Sequence, residues 1–89
     1  MTEEKKRLAT LARGVAALRR QSRELRGEID FLDRFSDSLP AAACAAARSY
    51  LTMIEHGADL TLAQVAALRA DLAKREADRR VKRLAEKLR

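Results

Sequence analysis

Cys44 and His56 are the two residues of the sequence that could perform nucleophilic chemistry. A thiol nucleophile needs a base, usually histidine, within hydrogen-bond reach and an electropositive setting that lowers the thiol pKa. Each residue type occurs once in the chain, and both fall in the same predicted helix. Their separation along that helix is about 18 Å, which is far out of reach. We therefore interpret Cys44 as a small buried side chain within the stretch PAAACAAARSY, and we predict no catalytic residues and no enzymatic activity.

Metal and cofactor chemistry have equally little support in the sequence. One cysteine and one histidine cannot complete a structural zinc site. Glu28, Asp30, Asp33 and Asp37 form an acidic stretch that is typical of a solvated helix surface. The chain has no glycine-rich phosphate loop and no G-x-S-x-G motif. We predict no metal site, no cofactor and no small-molecule substrate.

The segment ELRGEIDFLDRF, residues 24–35, resembles the first-helix motif of the all-helical chorismate mutases. In that family an arginine at the position of Arg26 binds a substrate carboxylate. The family also places further basic residues along the following turns. In this chain those turns hold the break at Pro40 and the alanine run instead. We therefore assign the chain to no family.

Basic residues are concentrated at the two ends of the chain, although the net charge is only +6. Residues 1–26 and residues 74–89 each carry eight Lys or Arg against three acids, whereas residues 27–73 carry three against seven. Basic ends of this kind could contact nucleic acid, an anionic membrane surface or an acidic protein. The basic contact candidates are Arg19, Arg20, Arg23, Arg26, Arg75, Arg79, Arg80 and Arg83.

The length and composition of the chain predict a single all-α domain, residues 1–89. Hydrophobic residues make up 47% and charged residues 36%, with no Trp, one Tyr and two Phe. Alanine and leucine dominate the apolar set, which is typical of helices packed on helices. A single cysteine, and the lack of an apolar run long enough to cross a bilayer, favour a cytoplasmic location.

The first predicted helix spans about residues 3–36 and has coiled-coil character. Thr2 provides an N-terminal cap, followed by Glu3 and Glu4 at the positive end of the helix dipole. Apolar residues then recur at alternating spacings of three and four, with serine replacing an aliphatic residue at two positions. The predicted seam is Leu8, Leu11, Val15, Leu18, Ser22, Leu25, Ile29, Leu32 and Ser36.

Two further helices are predicted after the segment SDSLP. A short, alanine-rich second helix runs over about 40–56, with Asp37 or Ser38 as its cap, Pro40 in its first turn and Gly57 as its left-handed end. A third helix runs over about 61–88, because Thr61 and Gln64 form a capping box while Leu60 and Val65 form a hydrophobic staple. The expected architecture is an extended three-helix arrangement in which two long helices flank a short one.

The unequal helix lengths predict an interface. A three-helix bundle is only as tall as its shortest member, so the outer parts of the long helices should project beyond it. Apolar residues exposed in this way usually mark contact surfaces. The predicted partner interface is Leu8, Leu11, Val15, Leu18, Val81, Leu84 and Leu88.

These observations favour a non-enzymatic, helical protein-interaction module, such as an adaptor, an assembly factor or a small inhibitor. We expect its partner to be another protein, itself or both, with a homodimer favoured. The alternative is a small basic nucleic-acid-binding protein that contacts phosphates through Arg and Lys of the first and third helices. We do not expect a membrane partner.

Overall fold

The chain forms an antiparallel hairpin of two long helices. The computed structural model describes residues 2–88, with α1 at Glu3–Phe35 and α2 at Ala41–Lys87. The hairpin is a rod of 78 × 17 × 14 Å, and its radius of gyration of 21.4 Å far exceeds the value of about 12 Å for a compact chain of this length. The prediction of an elongated, all-helical protein is confirmed, but the predicted three-helix arrangement is wrong. Residues 1 and 89 of the predicted domain lie outside the described part.

Helix α1 begins as the sequence predicts. Thr2 Oγ1 accepts a hydrogen bond of 3.3 Å from the backbone N–H of Lys5, while Glu3 and Glu4 occupy the first turn. The helix ends at Phe35, and the backbone N–H of Ser36 donates to the carbonyl of Leu32.

The connection between the helices spans residues 36–40. The prediction that Asp37 or Ser38 caps the next helix is wrong, because neither side chain forms a capping hydrogen bond there. Pro40 takes the capping position itself, and its carbonyl accepts hydrogen bonds from Ala43 and Cys44. Proline suits this position because it has no N–H group to leave unsatisfied and favours an extended backbone.

Helix α2 continues through Gly57, so the predicted second and third helices are one element. None of the glycines has a positive φ angle. Thr61 Oγ1 donates to the carbonyl of Gly57 at 2.8 Å within the helix and does not cap a helix start. The reason is tertiary: Glu55 and Asp59, on either side of Gly57, both form ion pairs with α1. Ala58 between them is buried, so contacts with α1 hold the helix continuous where local signals predict an end.

The residues that face the partner helix follow one seam on each helix. On both helices the least exposed residues alternate at spacings of three and four, the pattern of a coiled coil, except that the α2 position between Val65 and Leu72 holds the exposed Arg69. The α1 seam is Lys5, Leu8, Ala12, Val15, Arg19, Ser22, Arg26 and Ile29. The α2 seam is Cys44, Arg48, Leu51, Glu55, Ala58, Leu62, Val65, Leu72 and Glu76.

The predicted α1 seam is therefore correct at every second position only. Leu8, Val15, Ser22 and Ile29 face α2, but the leucines placed between them are exposed. The helix is rotated so that Ala12, Arg19 and Arg26 face α2 instead. The rotation lets charged α1 side chains reach the carboxylates of α2.

The projecting N-terminal part of α1 that the predicted interface assumes does not exist, because α1 lies beside α2 from its first turn onward. Leu8 and Val15 are both partly buried in the seam, and Leu8 shares a groove with Leu72 of α2. The pair Lys5–Glu76 joins the start of α1 to α2, so only the last part of α2 has no partner helix. We call residues 78–88 the basic overhang; they extend about 16 Å beyond α1.

The most deeply buried residues of the hairpin are small, and the leucines and isoleucine of the seam are only partly buried. Cys44, Ala58, Val65 and Ser22 are 3–6% exposed, and no large side chain among residues 2–88 is fully buried. No helix in this part of the chain is both long and apolar enough to cross a membrane.

Candidate interaction surfaces

Three of the arginines predicted as contact residues form ion pairs between the two helices. Arg19 meets Asp59 at 2.8 Å, and Arg26 meets Glu55 at 2.8 Å. These pairs fix which turns of the two helices lie side by side, as charged seam residues do in coiled coils. The remaining interhelical pairs are Lys5–Glu76, Arg23–Glu55, Arg48–Asp30 and Arg48–Asp33.

Glu55 of α2 forms ion pairs with two arginines of α1. Its side chain is only 13% exposed and meets Arg23 through one oxygen and Arg26 through the other. The hydrogen bond from Arg23 lowers the pKa of Glu55 against the opposing effect of burial, and the charge of Arg26 lowers it further. Arg26 therefore neutralises a carboxylate of its own chain, whereas the resemblance assigned that position to substrate binding.

The eight predicted basic contact residues separate into two groups. Arg19, Arg23 and Arg26 pair with α2, and Arg75 pairs with Asp71 one turn away at 2.9 Å. No ion pair is found within residues 2–88 for the other four: Arg20, Arg79, Arg80 and Arg83.

One side of the hairpin carries a row of large apolar side chains. These residues are 41–54% exposed and recur at seven-residue intervals next to the seam, apart from one interruption at Thr61. The register of the ion pairs places Leu25 level with Ile54, and Leu11 level with Leu68. We call this surface the leucine face: Leu11, Leu18, Leu25 and Leu32 of α1 with Ile54 and Leu68 of α2.

The residues that flank the middle of the leucine face are largely uncharged. The next helix positions outward are Gly14 and Gln21 on α1, and Gly57 and Gln64 on α2. Towards the open end of the hairpin the face leads into a groove of about 330 Å³ that includes Leu8, Leu68 and Leu72. The face therefore has an apolar centre and places its charges at the ends, as protein interfaces do.

The basic overhang is exposed at every position. Val81, Leu84 and Leu88 lie on its outer side, whereas Arg79 and Arg83 continue the line of the seam beyond the start of α1. A cleft of about 450 Å³ lies where the overhang passes the start of α1. Its lining consists of Arg79, Arg80, Arg83, Thr2 and the ion pair Lys5–Glu76.

The predicted interface residues thus occupy three places. Leu11 and Leu18 belong to the leucine face, and Leu8 and Val15 to the seam. The other three, Val81, Leu84 and Leu88, belong to the overhang. Ile54 and Leu68 are absent from the predicted interface, although they lie two seven-residue intervals apart, with Thr61 midway, and the α1 leucines have the same seven-residue spacing.

Cys44 is a free, buried thiol in the α2 seam, and His56 lies on the exposed surface of the same helix. In the part of the chain that the structure describes, no three His, Cys, Asp or Glu side chains come together as metal ligands would. No family model matches the chain, and neither does any curated protein or any solved structure.

Proposed function

We propose that the chain is a self-associating helical hairpin that works as a non-enzymatic protein-interaction module, with two copies packing leucine face to leucine face. The observation that carries the proposal is the row of exposed large aliphatic side chains beside the seam. The most deeply buried seam residues are small, and the seam leucines and isoleucine are only partly buried, whereas six large aliphatic side chains beside the seam are 41–54% exposed. Fully burying each of these side chains contributes about 1.5–3 kcal/mol, of which roughly half is still available because each is about half exposed.

The exposed area supports a second copy as the occupant of this face. The chain exposes 7316 Å², whereas a compact monomer of its mass exposes about 5,200 Å². A stable interface of standard size buries about 800 Å² per partner. The excess is large enough for one such interface, and the result would be a four-helix bundle, the usual way for helices to complete a core.

The oligomeric state of matched variants tests the proposal. Leu18→Asp with Leu25→Asp places two charges in the middle of the leucine face. Met53→Asp with Leu60→Asp places two charges on exposed apolar positions on the outer side of α2. We expect the wild type and the Met53/Leu60 variant to be dimers by light scattering, and the Leu18/Leu25 variant to be monomeric with a lower melting temperature. A wild-type chain that is monomeric and fully helical at tens of micromolar would contradict the proposal, as would equal disruption by both double variants.

A second candidate function, nucleic-acid binding, is favoured by one separate observation. The cations of the basic overhang have no ion-pair partner within residues 2–88, unlike most arginines of the hairpin.

A further inference from the structure

The basic overhang concentrates positive charge that the fold does not neutralise. It contains Asp78 and Glu86 as its only acids, and no ion pair with its cations is found in the described chain. Along the hairpin, by contrast, the seam arginines meet carboxylates at 2.6–3.0 Å. The overhang cations are Arg79, Arg80, Lys82, Arg83 and Lys87.

Three of these cations converge where α1 begins. Arg79, Arg80 and Arg83 line the 450 Å³ cleft with Thr2 and Lys5. The only carboxylate in this lining, Glu76, is held by Lys5 at 2.6 Å; that hydrogen bond lowers the pKa of Glu76, and the charges of Arg80 and Arg79 lower it further, so one carboxylate faces four cations. The positive end of the α1 dipole adds to the same potential. The cleft is therefore arranged for an anion from outside the chain.

We propose that the basic overhang binds the phosphate backbone of duplex DNA, without sequence preference. Beyond the start of α1 the overhang is a single helix, about 10–12 Å across with its side chains, and the major groove of B-form DNA is about 12 Å wide. The major groove of A-form RNA is too narrow and deep to admit it. The overhang has no aromatic side chain on which a single-stranded base could stack. Of the nucleic acids, duplex DNA thus fits both the shape and the composition of this segment.

This inference does not rest on self-association, because the overhang and the leucine face share no residue. A variant can therefore lose one property and keep the other. The DNA measurement uses the full chain and a fluorescently labelled, random-sequence duplex, titrated between about 50 and 200 mM salt. We expect log K to fall with log salt with a slope of about −2.7 to −4.5, corresponding to between three and five phosphates.

Charge reversal at the cleft is the decisive variant. Arg79→Glu, Arg80→Glu and Arg83→Glu together should weaken DNA binding by more than about 100-fold at about 0.1 M salt, because each lost phosphate contact costs close to one order of magnitude there. The matched control is Arg13→Glu, Arg20→Glu and Arg34→Glu on α1, which changes the net charge equally and should leave affinity within about threefold if binding is local. Circular dichroism and light scattering should show both variants folded like the wild type. If the cleft variant loses helicity, the single changes of these arginines to Gln should each reduce the slope by about 0.9.

Several results would overturn the proposal. Equal weakening by both triple variants would show a response to net charge alone. The absence of wild-type binding at the lowest salt would remove the site altogether. Equal or tighter binding to single-stranded DNA, to duplex RNA or to phosphatidylserine vesicles would assign the overhang to a different partner.

Discussion

Arg23 Nε lies 2.6 Å from Glu55 Oε1, which joins a cation of α1 to a carboxylate of α2 in the middle of the hairpin. Arg26 Nη1 approaches the other oxygen of the same carboxylate to 2.8 Å. One glutamate thus holds neighbouring positions of α1 and opposes sliding of one helix along the other. Burial of charge contributes little net stability, but charged seam residues select one register over its alternatives.

Acid should therefore destabilise the hairpin. The pKa of Glu55 is lowered in the folded state, so the stability from its ion pairs is fully present above the ordinary glutamate pKa of about 4.3. It is lost as the pH falls through the lower folded-state value. Thermal melts followed by circular dichroism from neutral to strongly acidic pH should show this fall in melting temperature. Glu55→Gln should reduce the dependence, whereas Glu24→Gln should retain it, because Glu24 is exposed and has no ion pair within residues 2–88. Identical pH profiles for wild type and Glu55→Gln would contradict the assignment.

Ser22 should tolerate alanine and reject leucine. Its side chain is 3% exposed, and its hydroxyl donates to the carbonyl of Leu18 in its own helix at 2.9 Å. Ser22→Ala should therefore raise the free energy of unfolding by about 0.5 kcal/mol through helix propensity. Ser22→Leu should lower it by about 1–3 kcal/mol, because the seam register places Ser22 level with the buried Ala58 and leaves no room. Urea denaturation of both variants tests this, and stabilisation by leucine would show that the helices are farther apart than described.

Gly57→Ala should stabilise the protein. An added Cβ at Gly57 meets no atom within 4 Å, and α2 is helical on both sides of it. The gain should be about 0.5–1 kcal/mol, which is a rise of several degrees in melting temperature for a domain of this size. Gly27→Ala on α1 is the matched control, since its surroundings are equally open. Destabilisation at Gly57 with stabilisation at Gly27 would mean that α2 breaks at Gly57 after all.

Local signals in the sequence predict the beginnings of this fold better than its continuity. The Thr2 cap, the span of α1 and the break after residue 35 follow from residues that act within one turn. The continuity of α2 depends on Arg19, Arg23 and Arg26, which are distant in sequence from the glycine they override. No propensity at Gly57 carries that information.

The candidate surfaces show the same limit. The α1 leucines were predicted as seam residues because they complete the best apolar pattern on that helix. The observed seam contains Arg19 and Arg26 instead. The sequence would reveal this seam only if each charge of α1 were matched with an opposite charge at the corresponding turn of α2. That match requires knowing that the chain folds back once, at residues 36–40.

Cys44 should react slowly with thiol reagents in the native protein and rapidly in denaturant. Its side chain is buried in the seam beside α1, so the reagent must wait for the hairpin to open. Labelling followed by mass spectrometry, with and without urea, measures the difference. Fast native labelling would indicate that the tip half of the hairpin opens readily.

The two sides of the basic overhang should contribute unequally to DNA binding. Arg80 lines the cleft, whereas Leu84 lies on the outer side and forms no part of its lining. Arg80→Gln should weaken binding to duplex DNA by about tenfold at about 0.1 M salt and reduce the salt slope by about 0.9, because one phosphate contact is lost. Leu84→Gln, a change to the same uncharged residue, should leave both quantities unchanged. Light scattering should show the same oligomeric state for both variants, since neither residue belongs to the leucine face. If Leu84→Gln weakens binding more than Arg80→Gln, the binding energy lies in apolar anchors, as it does in protein interfaces, and the overhang would then serve a protein partner.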